Sequence, residues 1–107
     1  MPLLERLDKF PIMKIEDNAD MRHFELRTDD NKLAVIEYQI QERKYFLTKT
    51  TFPEGFEESG EADKMVKEVL KMIEETGMRV VPMTRFIKQY FKRHRDMKYL
   101  LPVGIHL

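Results

Sequence analysis

Through the first half of the chain apolar residues alternate with polar ones, and through the second they recur at intervals of three and four. Alternation places every second side chain on one face of a strand, whereas the longer interval lays a stripe along one side of a helix. Ile12 to Glu16 alternates and predicts a first strand, with Asp17-Asn18-Ala19-Asp20 as the turn after it. Arg22 to Arg27 puts Phe24 and Leu26 on one face, and Thr28-Asp29-Asp30-Asn31 is a second turn cluster. Leu33 to Ile40 sets Leu33, Val35 and Glu37 opposite Ala34, Ile36 and Tyr38. After Gln41-Glu42-Arg43, the stretch from Lys44 to Phe52 is rich in Tyr, Phe and Thr, which suit a pleated surface. Four strands joined by short polar turns predict an antiparallel meander.

Ala62, Met65, Val66, Val69 and Ile73 fall at helical spacing, with Lys64, Lys67, Lys71 and Glu74 on the other side. Gly77 supplies the left-handed residue that ends such a helix, and Met78 to Val81 reads as a short buried strand stopped by Pro82. A helix between two strands predicts a right-handed parallel βαβ unit. Thr84 is a good N-cap for a second helix, with Phe86, Ile87, Tyr90 and Phe91 inward and Lys88, Lys92, Arg93 and Arg95 in water. The tail Tyr99-Leu100-Leu101-Pro102-Val103 is apolar enough to pack. Leu3, Leu4, Leu7 and Phe10 recur at helical spacing before Pro11, so residues 1–11 form an expected N-terminal arm and residues 12–107 one domain.

The 107 residues carry 19 basic and 19 acidic side chains, which removes the usual electrostatic case for nucleic acid or an anionic membrane. The absence of cysteine excludes disulfides, thiolate metal sites and a thiol nucleophile. The opening Met1-Pro2-Leu3-Leu4-Glu5-Arg6-Leu7 lacks the uncharged run of a secretion signal, and no apolar run approaches the ~20 residues of a membrane span. The expectation is a cytoplasmic protein, a monomer or weak dimer. His23, His94 and His106 show no paired metal-ligand spacing, so no metal site is expected and each reads as a surface or partly packed histidine.

The stretch from Phe52 to Met65 joins the β-rich half to the helical half and carries Glu54, Glu57, Glu58, Glu61 and Asp63 without a Lys or Arg before Lys64. Free backbone N–H groups and the helix dipole make such a junction an anion-binding end when the loop is Gly-rich and basic. Gly55 and Gly60 supply part of that geometry, but the carboxylates oppose it: two like charges ~4 Å apart repel by about 1 kcal/mol in water. The alternative is that Ser59 caps the helix while Glu61 and Asp63 complement its dipole. Lys88, Lys92, Arg93, His94 and Arg95 form a basic run, either a phosphate or acidic-partner contact or a solvated face with cations at a helix C-terminus.

RHFEL, AVIEY, LTKTTFP in place of L-x-H-T-E-V-P, and RVVPMTRFIKQYFKRH in place of KVVPxCxFVxxYxxRHP occur in that order between Ile12 and Leu101. In these motifs the chain resembles the short, single-domain, YjdJ-type members of the GNAT acetyltransferase superfamily. The resemblance implies an α/β (α+β) GNAT-like fold: an antiparallel meander, a βαβ unit and a C-terminal helix, with two parallel strands splaying apart to admit acyl-coenzyme A. It also implies an acetyl-CoA-dependent N-acetyltransferase acting on a small-molecule or protein amine. The alternative is a non-catalytic binding or regulatory module of the same fold that has lost acyl-CoA binding.

By the same resemblance, the family's R/Q-x-x-G-x-G/A loop places Glu57 where the Arg or Gln stands, keeps Gly60, and ends at Ala62. Gly60, Glu61, Ala62 and Asp63 would face the pyrophosphate with backbone amides, and Thr50, Thr51 and Phe52 would pair with pantetheine. Thr84 stands where the family often has cysteine, and Thr51 where it has a glutamate. Such a reaction needs only a base for the amine and a donor for the acyl oxygen, and Tyr90 and Glu37 are the residues nominated for these roles.

Overall fold

The computed structural model describes residues 14–105 and 107; the expected arm over residues 1–11, the start of the first predicted strand at Ile12 and Met13, and His106 lie outside them. Five strands form one sheet in the order β1 (Ile15–Asn18), β2 (His23–Arg27), β3 (Leu33–Gln41), β4 (Lys44–Thr51) and β5 (Arg79–Pro82). The first four pair antiparallel with their neighbours, and β5 pairs parallel to β4. The meander is as the alternation predicts, and the parallel addition as the intervening helix predicts. Several boundaries differ: β2 starts at His23, β3 ends at Gln41 and β4 ends at Thr51. Asp17 and Asn18 lie in β1, and the turn runs from Ala19 to Arg22; Pro82 is the last residue of β5, where a missing N–H costs least.

Helix α1 (Glu61–Glu75) crosses from β4 to β5 and buries Ala62, Met65, Val66, Val69, Leu70 and Ile73. Gly77, at φ +80°, follows its C-cap, as the sequence predicts. Helix α2 (Arg85–Arg93) buries Ile87, Tyr90 and Phe91, and a 3-10 helix (Arg95–Leu100) buries Leu100. The basic run expected inside one helix is broken at His94, which caps α2. Both helices share one core with Phe24, Leu26, Ala34, Ile36, Tyr38, Tyr45, Leu47 and Val80. Fully burying each of the large apolar side chains contributes roughly 1.5–3 kcal/mol. No described helix is long and apolar enough to cross a membrane.

Two irregularities shape the sheet. Glu37 pairs with Lys49 while Tyr38 pairs with Leu47, so Thr48 is an extra residue in β4, a bulge that re-aims the side chains on either side of it. The β4–β5 ladder runs from Lys44 and Arg79 to Leu47 and Pro82, closed by Met83 N–H donating to the Leu47 carbonyl at 3.1 Å. Beyond this point β4 continues alone on that side.

Candidate functional site

The β4–β5 ladder ends at Leu47 and Pro82, and β4 from Thr48 to Thr51 runs on past it into the loop 52–60 and the start of α1. Phe56 is buried and anchors the loop; its ring lies 5.3 Å from Phe52, which meets Phe86 of α2 edge-on at 5.3 Å. This aromatic cluster fixes the loop against α2 and so sets where α1 begins. Thr50 is half-buried, Thr51 exposed and Phe52 half-buried, at the end of β4 and the start of the loop.

Gly60, not Ser59, is the N-cap of α1, because the chain enters the helix at φ +87°, a left-handed geometry that favours glycine. Ser59 still serves the helix start: its hydroxyl accepts the Glu61 N–H at 3.3 Å. The Gly60 N–H donates to the Glu57 carbonyl and the Ala62 N–H to the Phe56 carbonyl, each at 3.2 Å. Three amides of the expected anion nest are thus engaged within the loop. The Asp63 carboxylate faces α2, where the Arg93 guanidinium donates to both its oxygens at 2.8 and 3.0 Å. Those bonds hold the Asp63 carboxyl below the usual range, and the same contact raises Arg93.

A cavity of about 260 Å³ lies on the outer side of the loop, between Pro53–Phe56 and the turn at Thr28–Lys32. Asp29, Asp30, Glu54 and Glu61 line it with a single cation, Lys32. No three metal-ligating side chains come together among the described residues.

The expected chemical residues separate. The Thr84 hydroxyl caps α2, accepting the Ile87 N–H at 3.2 Å, so one of its two lone pairs is committed to structure. Tyr90 is 2% exposed, stacks on His94 with ring centroids 4.1 Å apart, and has the Arg93 guanidinium 5.9 Å from its ring. Burial, with Asp63 next, pushes its phenol up. Glu37 lies on the sheet face turned away from the core, the alternate position to buried Ile36 and Tyr38.

Sequence reasoning missed one pair. His23 Nε2 lies 2.7 Å from Glu25 Oε1, and the Asn18 amide donates to the same oxygen at 3.3 Å. Contact with His23 is the main cause that lowers the Glu25 carboxyl. The signal was available, since residues two apart in a strand share a face.

The model of the GCN5-related N-acetyltransferase family matches residues 23–100. A GCN5-like protein from Staphylococcus aureus, solved in solution by NMR, superposes with a TM-score of 0.68 at 16% identity, covering 91% of this chain and 95% of that one. At that identity the likeness shows the fold. No curated protein matches the chain.

Proposed function

The chain belongs to the GCN5-related N-acetyltransferase family, and from that premise we propose that it moves an acetyl group from acetyl-coenzyme A to the nitrogen of an amine. The observation that carries the reading is the parting of β4 from β5 beyond Leu47 and Pro82. On that side Thr48–Thr51 have no strand partner among the described residues, so their backbone N–H and C=O groups can pair with an extended, amide-bearing ligand such as pantetheine. A Cβ placed on Gly60 would meet no atom within 4 Å, which leaves room for a diphosphate beside the helix start.

Thr50, Thr51 and Phe52 would hold the pantetheine, and the backbone of Gly60, Glu61, Ala62 and Asp63 the diphosphate. The coenzyme supplies a thioester carbon that accepts the amine. The chain's own part is to hold that carbon and the amine in near-attack geometry, which removes most of the entropic barrier of a two-body reaction. Thr84 serves as a helix cap and hydrogen-bonds to no basic side chain among the described residues, which favours direct attack by the amine over an acyl-enzyme. Tyr90 is the candidate donor and Glu37 the candidate base. Calorimetric titration with acetyl-CoA and with coenzyme A tests the reading: heat with amide shifts confined to Thr48–Lys64 supports it, and silence at millimolar ligand overturns it.

A second reading, a non-catalytic binding module of the same fold, is favoured by the loop itself. Its Gly60, Glu61 and Ala62 amides already have acceptors, and its side chains are acidic. On this reading the loop attracts a basic partner segment, and the same titration gives no coenzyme signal.

A further inference from the structure

Asn18 in β1, His23 in β2, Glu37 in β3 and Lys49 in β4 are successive cross-strand partners, so their side chains share one face and form a polar row across four strands. The row ends beside the bulge at Thr48, where β4 parts from β5. It lies on the face turned away from the core, and Phe24, Ile36 and Tyr38 occupy the other.

A carboxylate only accepts, so in the 2.7 Å contact His23 Nε2 donates to Glu25, and in the neutral imidazole Nδ1 is then the acceptor. Asn18 holds Glu25 from the far side. This is a base with an orienting partner. Next to it, the Tyr38 N–H donates to the Arg22 carbonyl at 2.9 Å. His23 and Glu37, one residue along each strand, are therefore the closer, non-hydrogen-bonded kind of antiparallel pair, with Cα atoms about 4.5 Å apart.

We propose that this row is the acceptor side of the reaction: a primary amine docks as its ammonium against Glu37 on the face of the sheet turned away from the core, and its proton passes from Glu37 to His23, steadied by Glu25. The inference rests on the acyl-transfer reading above. In the balanced step the ammonium gives one proton to Glu37. The neutral nitrogen then forms a bond to the acyl carbon as the carbon–sulfur bond breaks, and the leaving sulfur takes one of the two protons left on nitrogen. The products are the N-acyl amine and the thiol, with the first proton released from His23 to solvent. Glu37 touches the substrate and is the catalytic residue; His23 and Glu25 are positioning residues. The groups facing His23 on this sheet are Glu25 along its own strand, Asn18 and Glu37 across it, and Lys49 beyond.

Spermidine is a suitable probe amine. In the coenzyme-free protein it should shift the His23 ring resonances and the Glu25 and Glu37 amides, and an unmoved row overturns the site. With acetyl-CoA, Glu37→Gln should lower kcat about 100-fold, and His23→Gln about tenfold, with acetyl-CoA affinity kept within about twofold. His23→Gln and Glu25→Gln should also flatten the limb along which wild-type kcat rises with pH, a change that a purely structural role would not produce. Wild-type kcat in Glu37→Gln overturns the relay, and the amide spectrum of each variant reports its fold. Spermidine shifts without any acetyl-CoA binding confirm the amine site and overturn the relay together with the acyl-transfer reading.

Discussion

Arg93, the last residue of α2, grips Asp63 in the first turn of α1 with two parallel hydrogen bonds of 2.8 and 3.0 Å. The pair ties the end of α2 to the start of α1, places a carboxylate at a positive helix end, and puts a cation at the negative end of the other. Both side chains remain more than a third exposed, so water and salt screen the attraction and the coupling should be small, about 0.2–1 kcal/mol. Urea unfolding of Arg93→Ala, Asp63→Asn and the double variant measures it. The Asp63 carboxyl is depressed below its ordinary 3.8 in the folded state, so the contribution is fully present above about pH 4 and fades as pH falls through the folded value. A coupling that grows toward pH 3 would contradict this.

Thr84 is predicted to matter for stability and not for chemistry. Its hydroxyl satisfies the Ile87 N–H that would otherwise be unpaired at the start of α2. Thr84→Ala should cost about 0.5–2 kcal/mol of unfolding free energy, and Thr84→Ser should restore most of it. Coenzyme affinity unchanged in both variants would mark the position as a cap, whereas a selective loss of turnover in a stably folded Thr84→Ser would not fit.

The hairpin between β3 and β4 turns on Glu42 and Arg43, at φ 52° and 62°. Two left-handed residues in sequence define the type I′ turn, which Asn-Gly adopts with little strain and other side chains adopt at about 1–2 kcal/mol each. The double substitution Glu42→Asn, Arg43→Gly should therefore raise stability by about 1 kcal/mol, read as a higher urea midpoint with the same slope. The Arg43 carbonyl, which accepts the Arg79 N–H at 3.2 Å, is kept by this change.

All four tyrosines have phenols pushed above the ordinary value of 10: Tyr38 by burial and then by its 2.5 Å hydrogen bond to Asp17, Tyr45 and Tyr90 chiefly by burial, and Tyr99 by its bond to Glu74. A raised folded-state pKa stabilises the protein at every pH below 10 and loses that effect as pH rises through the folded value. The phenolate absorbance of the native protein should therefore appear above pH 10, later than in the urea-unfolded chain. With no tryptophan the tyrosine signal is unobstructed. A native midpoint at or below that of the unfolded chain would sink the account.

The meander was legible because each strand has period two and each turn is a polar run, and α1 because its stripe continues over about three turns, from Ala62 to Ile73. Tertiary partners moved the edges. Asp17 and Asn18 look like turn residues, yet Asp17 accepts the Tyr38 hydroxyl and Asn18 donates to Glu25, and both are drawn into β1. Ser59 looks like a cap, but the left-handed entry at Gly60 moves the cap by one residue. The candidate site was legible only as a location. That Arg93 reaches Asp63 thirty positions earlier, or that loop carbonyls satisfy the amides of Gly60 and Ala62, depends on how α1 and α2 meet. His23 and Glu25 were two residues apart in a strand, and only their shared face with Glu37 gives that spacing a chemical meaning.

On the acyl-transfer reading, Glu57 should limit how well the loop serves a diphosphate. It stands where the loop would best use a cation, its side chain is exposed, and its own carbonyl accepts the Gly60 N–H. Glu57→Arg leaves that backbone bond intact and replaces one repulsion with one attraction. At an exposed site each change is on the order of 1 kcal/mol, so acetyl-CoA should bind about tenfold tighter at low salt, with the gain shrinking as ionic strength rises. Calorimetry at two salt concentrations reads both effects. A Glu58→Arg control asks whether any added cation suffices, and should give the smaller gain if the position of Glu57 matters. Unchanged affinity in Glu57→Arg would place the diphosphate elsewhere than beside Gly60, and would leave the edge of β4 as the part of the cleft that holds the coenzyme.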